Sequence, residues 1–298
     1  MNRWIIYQKE RFPLLAHGPL ILVFSFSAVS FSALLRDAPG WPSTQAIVTA
    51  FVCCLISFLH LRIADEFKDF EEDSRYRPYR AVPRGLVTLR ELSWVWAGTA
   101  VIQLILAALL DWRLAGVLLV TWIYLALMSK EFFVREWLVK RPFTYLWTHM
   151  LIMPLIDLFA TAADWAPTEG RPPTGIVLFV IVSFFNGVVI EIGRKIRAPE
   201  AEEEGVPTYT VTWGMRGAVL AWLTALVLTI GTGLVAASLI DFTLPAAIIW
   251  GAFLAAGIGL ALSFLRQPTV AGGKRFETLA GLWTIALYLT LGLLPRFF

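Results

Sequence analysis

Apolar residues fill long, nearly unbroken stretches of this chain, and polar residues collect in the short intervals between them. A helix that crosses a bilayer needs roughly 20 mostly apolar residues. Nine stretches meet that need, at about 17–35, 43–63, 90–110, 114–129, 144–163, 174–192, 215–237, 243–265 and 276–294. The pattern predicts an all-α polytopic membrane bundle of nine helices, forming one domain over residues 1–298. Residues 1–16 mix Trp, Tyr and Phe with Lys and Arg. They read as an interfacial amphipathic segment rather than a cleaved signal peptide. The interval 164–173 (DWAPTEGRPP) reads as a loop between spans five and six.

Charge orients the bundle. Under nine spans, all of the 25 Lys and Arg except Arg36, Arg113, Arg171 and Arg296 fall on the side of the N-terminus. Basic loops stay inside, so the N-terminus is expected in the cytoplasm of a cell whose inner membrane holds the chain, with the C-terminus outside. A composition that is 58% hydrophobic agrees with a membrane protein. The 13 Trp and 21 Phe suit interfacial belts and an aromatic-walled cavity. A net charge of +3 gives no reason to expect a nucleic-acid partner, and nothing calls for an obligate protein partner. The only cysteines, Cys53 and Cys54, are helix neighbours pointing about 100° apart, so no disulfide is expected.

The most polar interval follows span two. Between Asp65 and Asp73 lie Asp65, Glu66, Asp69, Glu71, Glu72 and Asp73, with Lys68 among them. Asp65, Asp69 and Asp73 recur every fourth residue, which on a helix places them within about 80° of one another. Such a face suits Mg²⁺, a hard ion that takes oxygen ligands and bridges to phosphates. Arg75, Arg77, Arg80 and Arg84 follow on a loop containing Pro78, Pro83 and Gly85. Guanidinium forks match phosphate oxygens, so metal ligands are followed by anion donors. A solvated charge run at a helix end is the plainer alternative.

This stretch resembles the first signature of the UbiA superfamily of intramembrane prenyltransferases, N-D-x-x-D-x-x-x-D followed by R-P and P-x-G. Asp65 stands at the Asn position, Glu66 at the first Asp, and Asp69 and Asp73 at the next two. Arg77-Pro78 and Pro83-Arg84-Gly85 match the loop. The family's second acidic motif falls after span six, where 186–214 reads NGVVIEIGRKIRAPEAEEEGVPTYTVTWG. Glu191 matches its leading acid, and Gly205, Thr208 and Gly214 match its tail. Arg194 stands where a further Asp is expected, and Glu200, Glu202, Glu203 and Glu204 come late. Either this Glu run supplies ligands for a second metal, or Glu191 alone does while Arg194 and Lys195 neutralise diphosphate directly.

The resemblance implies a helical bundle around a central cavity and a Mg²⁺-dependent prenyltransferase. Its partners would be an isoprenyl diphosphate and a lipophilic acceptor. Metal ligands would be Asp65, Glu66, Asp69, Asp73 and Glu191, and diphosphate donors Lys68, Arg77, Arg80, Arg84, Arg194 and Lys195. Asp69, Asp73 and Lys195 would be catalytic. A terpene cyclase of the same superfamily and a divalent-cation or lipid transporter remain alternatives. The basic loop 130–141 is expected near the substrate head group. His149 and Asp157 are buried polar groups that either pair across helices or line a cavity. Trp94, Trp96, Trp122, Tyr124, Trp147, Phe184 and Phe185 are candidates for an isoprenoid tunnel.

Overall fold

The computed structural model describes residues 2–206 and 208–298. Among them no strand occurs, and helices follow one another along the chain. They are α1 (Arg3–Arg11), α2 (Leu14–Leu34), α3 (Thr44–Lys68), α4 (Phe70–Tyr76), α5 (Leu89–Leu110), α6 (Trp112–Ser129), α7 (Arg135–Val139), α8 (Pro142–Met150), α9 (Ile152–Thr168), α10 (Ile176–Gly193), α11 (Tyr209–Ser238), α12 (Thr243–Arg266) and α13 (Val270–Gly292). Eight segments are long and apolar enough to cross a membrane, with α8 and α9 counted as one, Pro142–Thr168. The ninth expected span is α13. It starts earlier than its apolar pattern, because Thr269 caps it by accepting from the Gly272 N–H at 3.0 Å, and Lys274, Arg275 and Glu277 fill its first turns.

Span five is a broken helix. The chain turns at Leu151, three residues before Pro154, which has no N–H to donate to the Met150 carbonyl. Elsewhere caps match the sequence closely. Thr88 and Glu91 form a reciprocal capping box at the start of α5, and Asp111 caps α6.

Each membrane helix packs on the next one in the chain, and α13 returns to pack on α2, so the bundle closes into a ring. Closure depends on a small residue: a side chain at Gly292 would overlap Ser27 of α2. There the Ser30 hydroxyl donates to the Gly292 carbonyl at 2.6 Å. Buried polar groups join helices across the interior, where an unpaired one is costly. Tyr288 donates to Asp157 at 2.7 Å, and Thr284 donates to Asn186 at 3.2 Å. Asp157 is therefore a fully buried helix-to-helix partner, the first of the two roles expected for it. The chain ends of α3, α6 and α10 and the start of α11 meet on one side of the ring, and there the acidic stretches lie.

Candidate active site

The acidic stretch is helical, as its spacing predicts, but it bends. Asp69 (φ −96°, ψ 7°) separates α3 from α4, while the Asp69 N–H still bonds to the Asp65 carbonyl at 2.9 Å and the Asp73 N–H to that of Asp69 at 2.8 Å. The four expected ligands divide into two kinds. Asp65 and Asp69 keep 40% and 34% of their side-chain surface, and their nearest cations stand off, Arg62 at 3.5 Å and Lys68 at 3.9–4.0 Å. Glu66 and Asp73 are buried and committed to arginines. Glu66, about 100° around the helix from Asp65, turns toward α1 and pairs with Arg11. Asp73 accepts from Arg80 at 2.6 Å, and Arg77 approaches its other oxygen at 2.6 Å as an ion pair without hydrogen-bond alignment.

The loop arginines are thus partly structural. Arg77 and Arg80 fasten the loop to Asp73, whereas Arg84 is drawn to Glu10 at 2.8 Å and to the Tyr79 carbonyl at 2.7 Å. A guanidinium has five N–H donors, so the pairs with Asp73 leave donors over. Arg75 lies over the Tyr76 ring, exposed.

Lys68 occupies the centre of the acidic face. Its ammonium donates to Tyr145 Oη at 3.0 Å and lies 3.8 Å from Glu131 as well as near Asp65 and Asp69. The Tyr145 hydroxyl donates to Glu131 Oε1 at 3.0 Å. Burial is the main cause that holds the Asp69 carboxyl above the usual range; Lys68 opposes it, and Asp65 and Asp73 add to it. Glu131 and Tyr145 are members of this site that sequence reasoning missed. Glu131, Phe132 and Phe133 have φ of 50°, 51° and 60°, a left-handed turn without a glycine. Such backbone costs roughly 1–3 kcal/mol per residue, and here it turns the Glu131 carboxylate inward.

The second cluster faces the first. A side chain added at Gly205 (φ +73°) would strike the Tyr76 ring, so this loop packs directly on the end of α4. Glu191, at the end of α10, has both oxygens engaged, one by Arg194 and one by Lys195 at 2.9 Å. The Glu191 carboxylate, more than any other group, holds the Arg194 guanidinium above its ordinary pKa, and Asp65 contributes in the same sense. Glu202 accepts from Thr208 at 2.8 Å and Thr210 at 2.6 Å, and Glu203 pairs with Arg197 at 3.0 Å. Glu200 and Glu204 are exposed. The tail residues have physical roles: Gly205 makes the left-handed turn, Thr208 caps α11 by accepting from the Val211 N–H, and Gly214 (φ 72°) breaks its first turns.

His149 stacks on Tyr145 with ring centroids 3.9 Å apart, and its Nδ1 is hydrogen-bonded to the Tyr145 carbonyl at 2.8 Å within its own helix. The aromatic candidates separate into groups. Trp96 stacks on His60 near Trp122, Trp147 packs on Phe184 beside Phe185, Tyr124 meets Phe132, and Trp94 faces outward at 70% exposure. Among the described residues no three His, Cys, Asp or Glu come close enough together to hold a metal ion unaided.

A closed ring of membrane helices with two facing acid–base loops at one end is an intramembrane fold found in solved proteins. A UbiA homologue from Aeropyrum pernix K1 superposes with a TM-score of 0.69 at 14% identity, covering 90% of this chain and 96% of that one. A digeranylgeranylglyceryl phosphate synthase gives 0.63 at 15% identity, over 98% and 99%. A UbiA homologue from Archaeoglobus fulgidus, bound to DMAPP and Mg²⁺, gives 0.56 at 12% identity, over 97% and 99%. At such identities these likenesses speak for the fold. The sequence matches no curated protein. The UbiA prenyltransferase family matches residues 23–291, and the chain belongs to that family.

Proposed function

We propose that this integral membrane protein ionises an allylic isoprenyl diphosphate, with Mg²⁺, and transfers the prenyl group to a lipophilic acceptor. One observation carries the reading: Asp65 and Asp69, one helical turn apart and partly exposed, meet cations only at 3.5–4.0 Å, from Arg62 and Lys68, so neither carboxylate is spent on a close pair. Two half-exposed carboxylates fit Mg²⁺, which is commonly held by one or two carboxylates together with substrate phosphates. When bound, the ion would supply positive charge against the departing diphosphate.

The chain's own groups supply the rest. Lys68, held by Tyr145, and the Arg194–Lys195 pair, held by Glu191, place fixed cations where negative charge develops as the C–O bond breaks, with Arg77 and Arg80 lending their spare donors. Glu66, Asp73 and Glu191 orient cations. In this reading they do not bind metal. Aromatic faces such as those of Trp147, Phe184 and Phe185 favour positive charge on the prenyl fragment. Purified protein given Mg²⁺, a prenyl diphosphate and a phenolic or alcohol acceptor should yield pyrophosphate and prenylated acceptor. A cyclic hydrocarbon formed without acceptor would assign the chain to a cyclase instead.

The basic asymmetry supports placing both loops in the cytoplasm, with the C-terminus outside. Ser74 is exposed on α4. In a cysteine-free variant carrying Ser74→Cys, an impermeant maleimide should label only from the cytoplasmic side. Labelling only from outside would reverse the orientation.

A further inference from the structure

We infer that the site holds a single divalent cation, on Asp65 and Asp69, and that the second acidic cluster has become a fixed cation pair that grips diphosphate. The inference rests on the proposed function and deepens it by fixing the number of metal ions. In the second cluster every carboxylate that could reach the site is already committed. Glu191 gives one oxygen to Arg194 and the other to Lys195, and Glu202 spends its oxygens on the hydroxyls that start α11. Glu203 is tied to Arg197, and Glu200 and Glu204 extend from an exposed loop.

A divalent ion on Glu191 would have to displace two cations tethered three and four residues away. It would then sit beside both of them, because their backbones are fixed at the end of α10. Like charges at such separations repel strongly near a protein surface, where water screens them only in part. One carboxylate between two cations leaves the Glu191–Arg194–Lys195 group net positive. The face around Lys68 has the opposite sign, since Asp65, Asp69 and Glu131 outnumber Lys68 and Arg62. The two faces therefore differ in kind: one suits a cation and the other an anion. Glu191 acts as a positioning residue. It holds the ammonium of Lys195 and the fork of Arg194 at the cluster that packs against the end of α4.

The test is a count. Full-length protein in nanodiscs is saturated with a prenyl thiolodiphosphate that does not ionise, Mn²⁺ is titrated in, and bound Mn²⁺ is read from the loss of the free-ion EPR signal. One Mn²⁺ per chain is expected, retained in Glu191→Gln and lost in Asp69→Asn. Arg194→Met with Lys195→Met should weaken the analogue at least about tenfold while leaving the Mn²⁺ count at one. Two ions per chain would overturn the inference whichever variant loses the second, and leave the metal-dependent function standing. One ion that survives Asp69→Asn and disappears in Glu191→Gln would also overturn it. No Mn²⁺ bound to wild-type protein that unfolds cooperatively would remove the functional reading itself.

Discussion

Replacing Asp69 by Asn is expected to lower pyrophosphate release at least a hundredfold, about 2.7 kcal/mol of barrier, without lowering the thermal midpoint. The amide keeps the shape of the carboxylate and removes its charge. That charge is costly in the free protein, because burial and the neighbouring Asp65 and Asp73 all raise the Asp69 pKa, with only Lys68 opposing. A raised pKa means folding disfavours the ionised form, so removing it at neutral pH relieves repulsion and does not break a stabilising pair. Activity and stability should thus separate. Pyrophosphate release and thermal unfolding measured on the same preparation check this. A folded variant within a few-fold of wild type would show that Asp69 does not contact the metal.

Asp73→Asn should behave differently, although the sequence pattern assigns both residues the same role. Asp73 is 2% exposed at its side chain, and Arg77 and Arg80, at 13% and 23%, share its two oxygens. Removing one partner of a buried pair leaves uncompensated charge and costs roughly 3–5 kcal/mol. The expected result is a lower thermal midpoint and faster tryptic cleavage within residues 77–85, with activity falling as the loop loosens. An Asp73→Asn protein with the wild-type midpoint and cleavage pattern, yet inactive, would return Asp73 to the metal.

That contrast marks what could be read from the residue pattern. The spans were legible because a bilayer demands long apolar runs with every backbone group satisfied inside the helix. The shared face of Asp65 and Asp69 was legible because a four-residue spacing fixes direction on a helix. The fates of Glu66 and Asp73 were not, because they depend on which arginine arrives from elsewhere: Arg11 from α1 and Arg80 from the following loop. The ring closure of α13 on α2 leaves only Gly292 as a trace in the sequence, and glycine is frequent in membrane helices whether or not a neighbour packs close. Glu131 was hidden twice, once inside a loop dominated by basic residues and once by a left-handed turn at Glu-Phe-Phe, where no glycine or asparagine signals positive φ. In the second cluster the displaced Glu run was ambiguous until Thr208 and Thr210 were seen to take up Glu202.

The most direct measurement of the central claim is pyrophosphate release from prenyl diphosphates of increasing chain length by the purified wild-type protein, with Mg²⁺ and with excess EDTA. The account predicts release with at least one chain length in Mg²⁺, abolished by EDTA and restored by added Mg²⁺. Release at an undiminished rate in EDTA, or none from any prenyl diphosphate by folded protein in Mg²⁺ with an acceptor present, would contradict it.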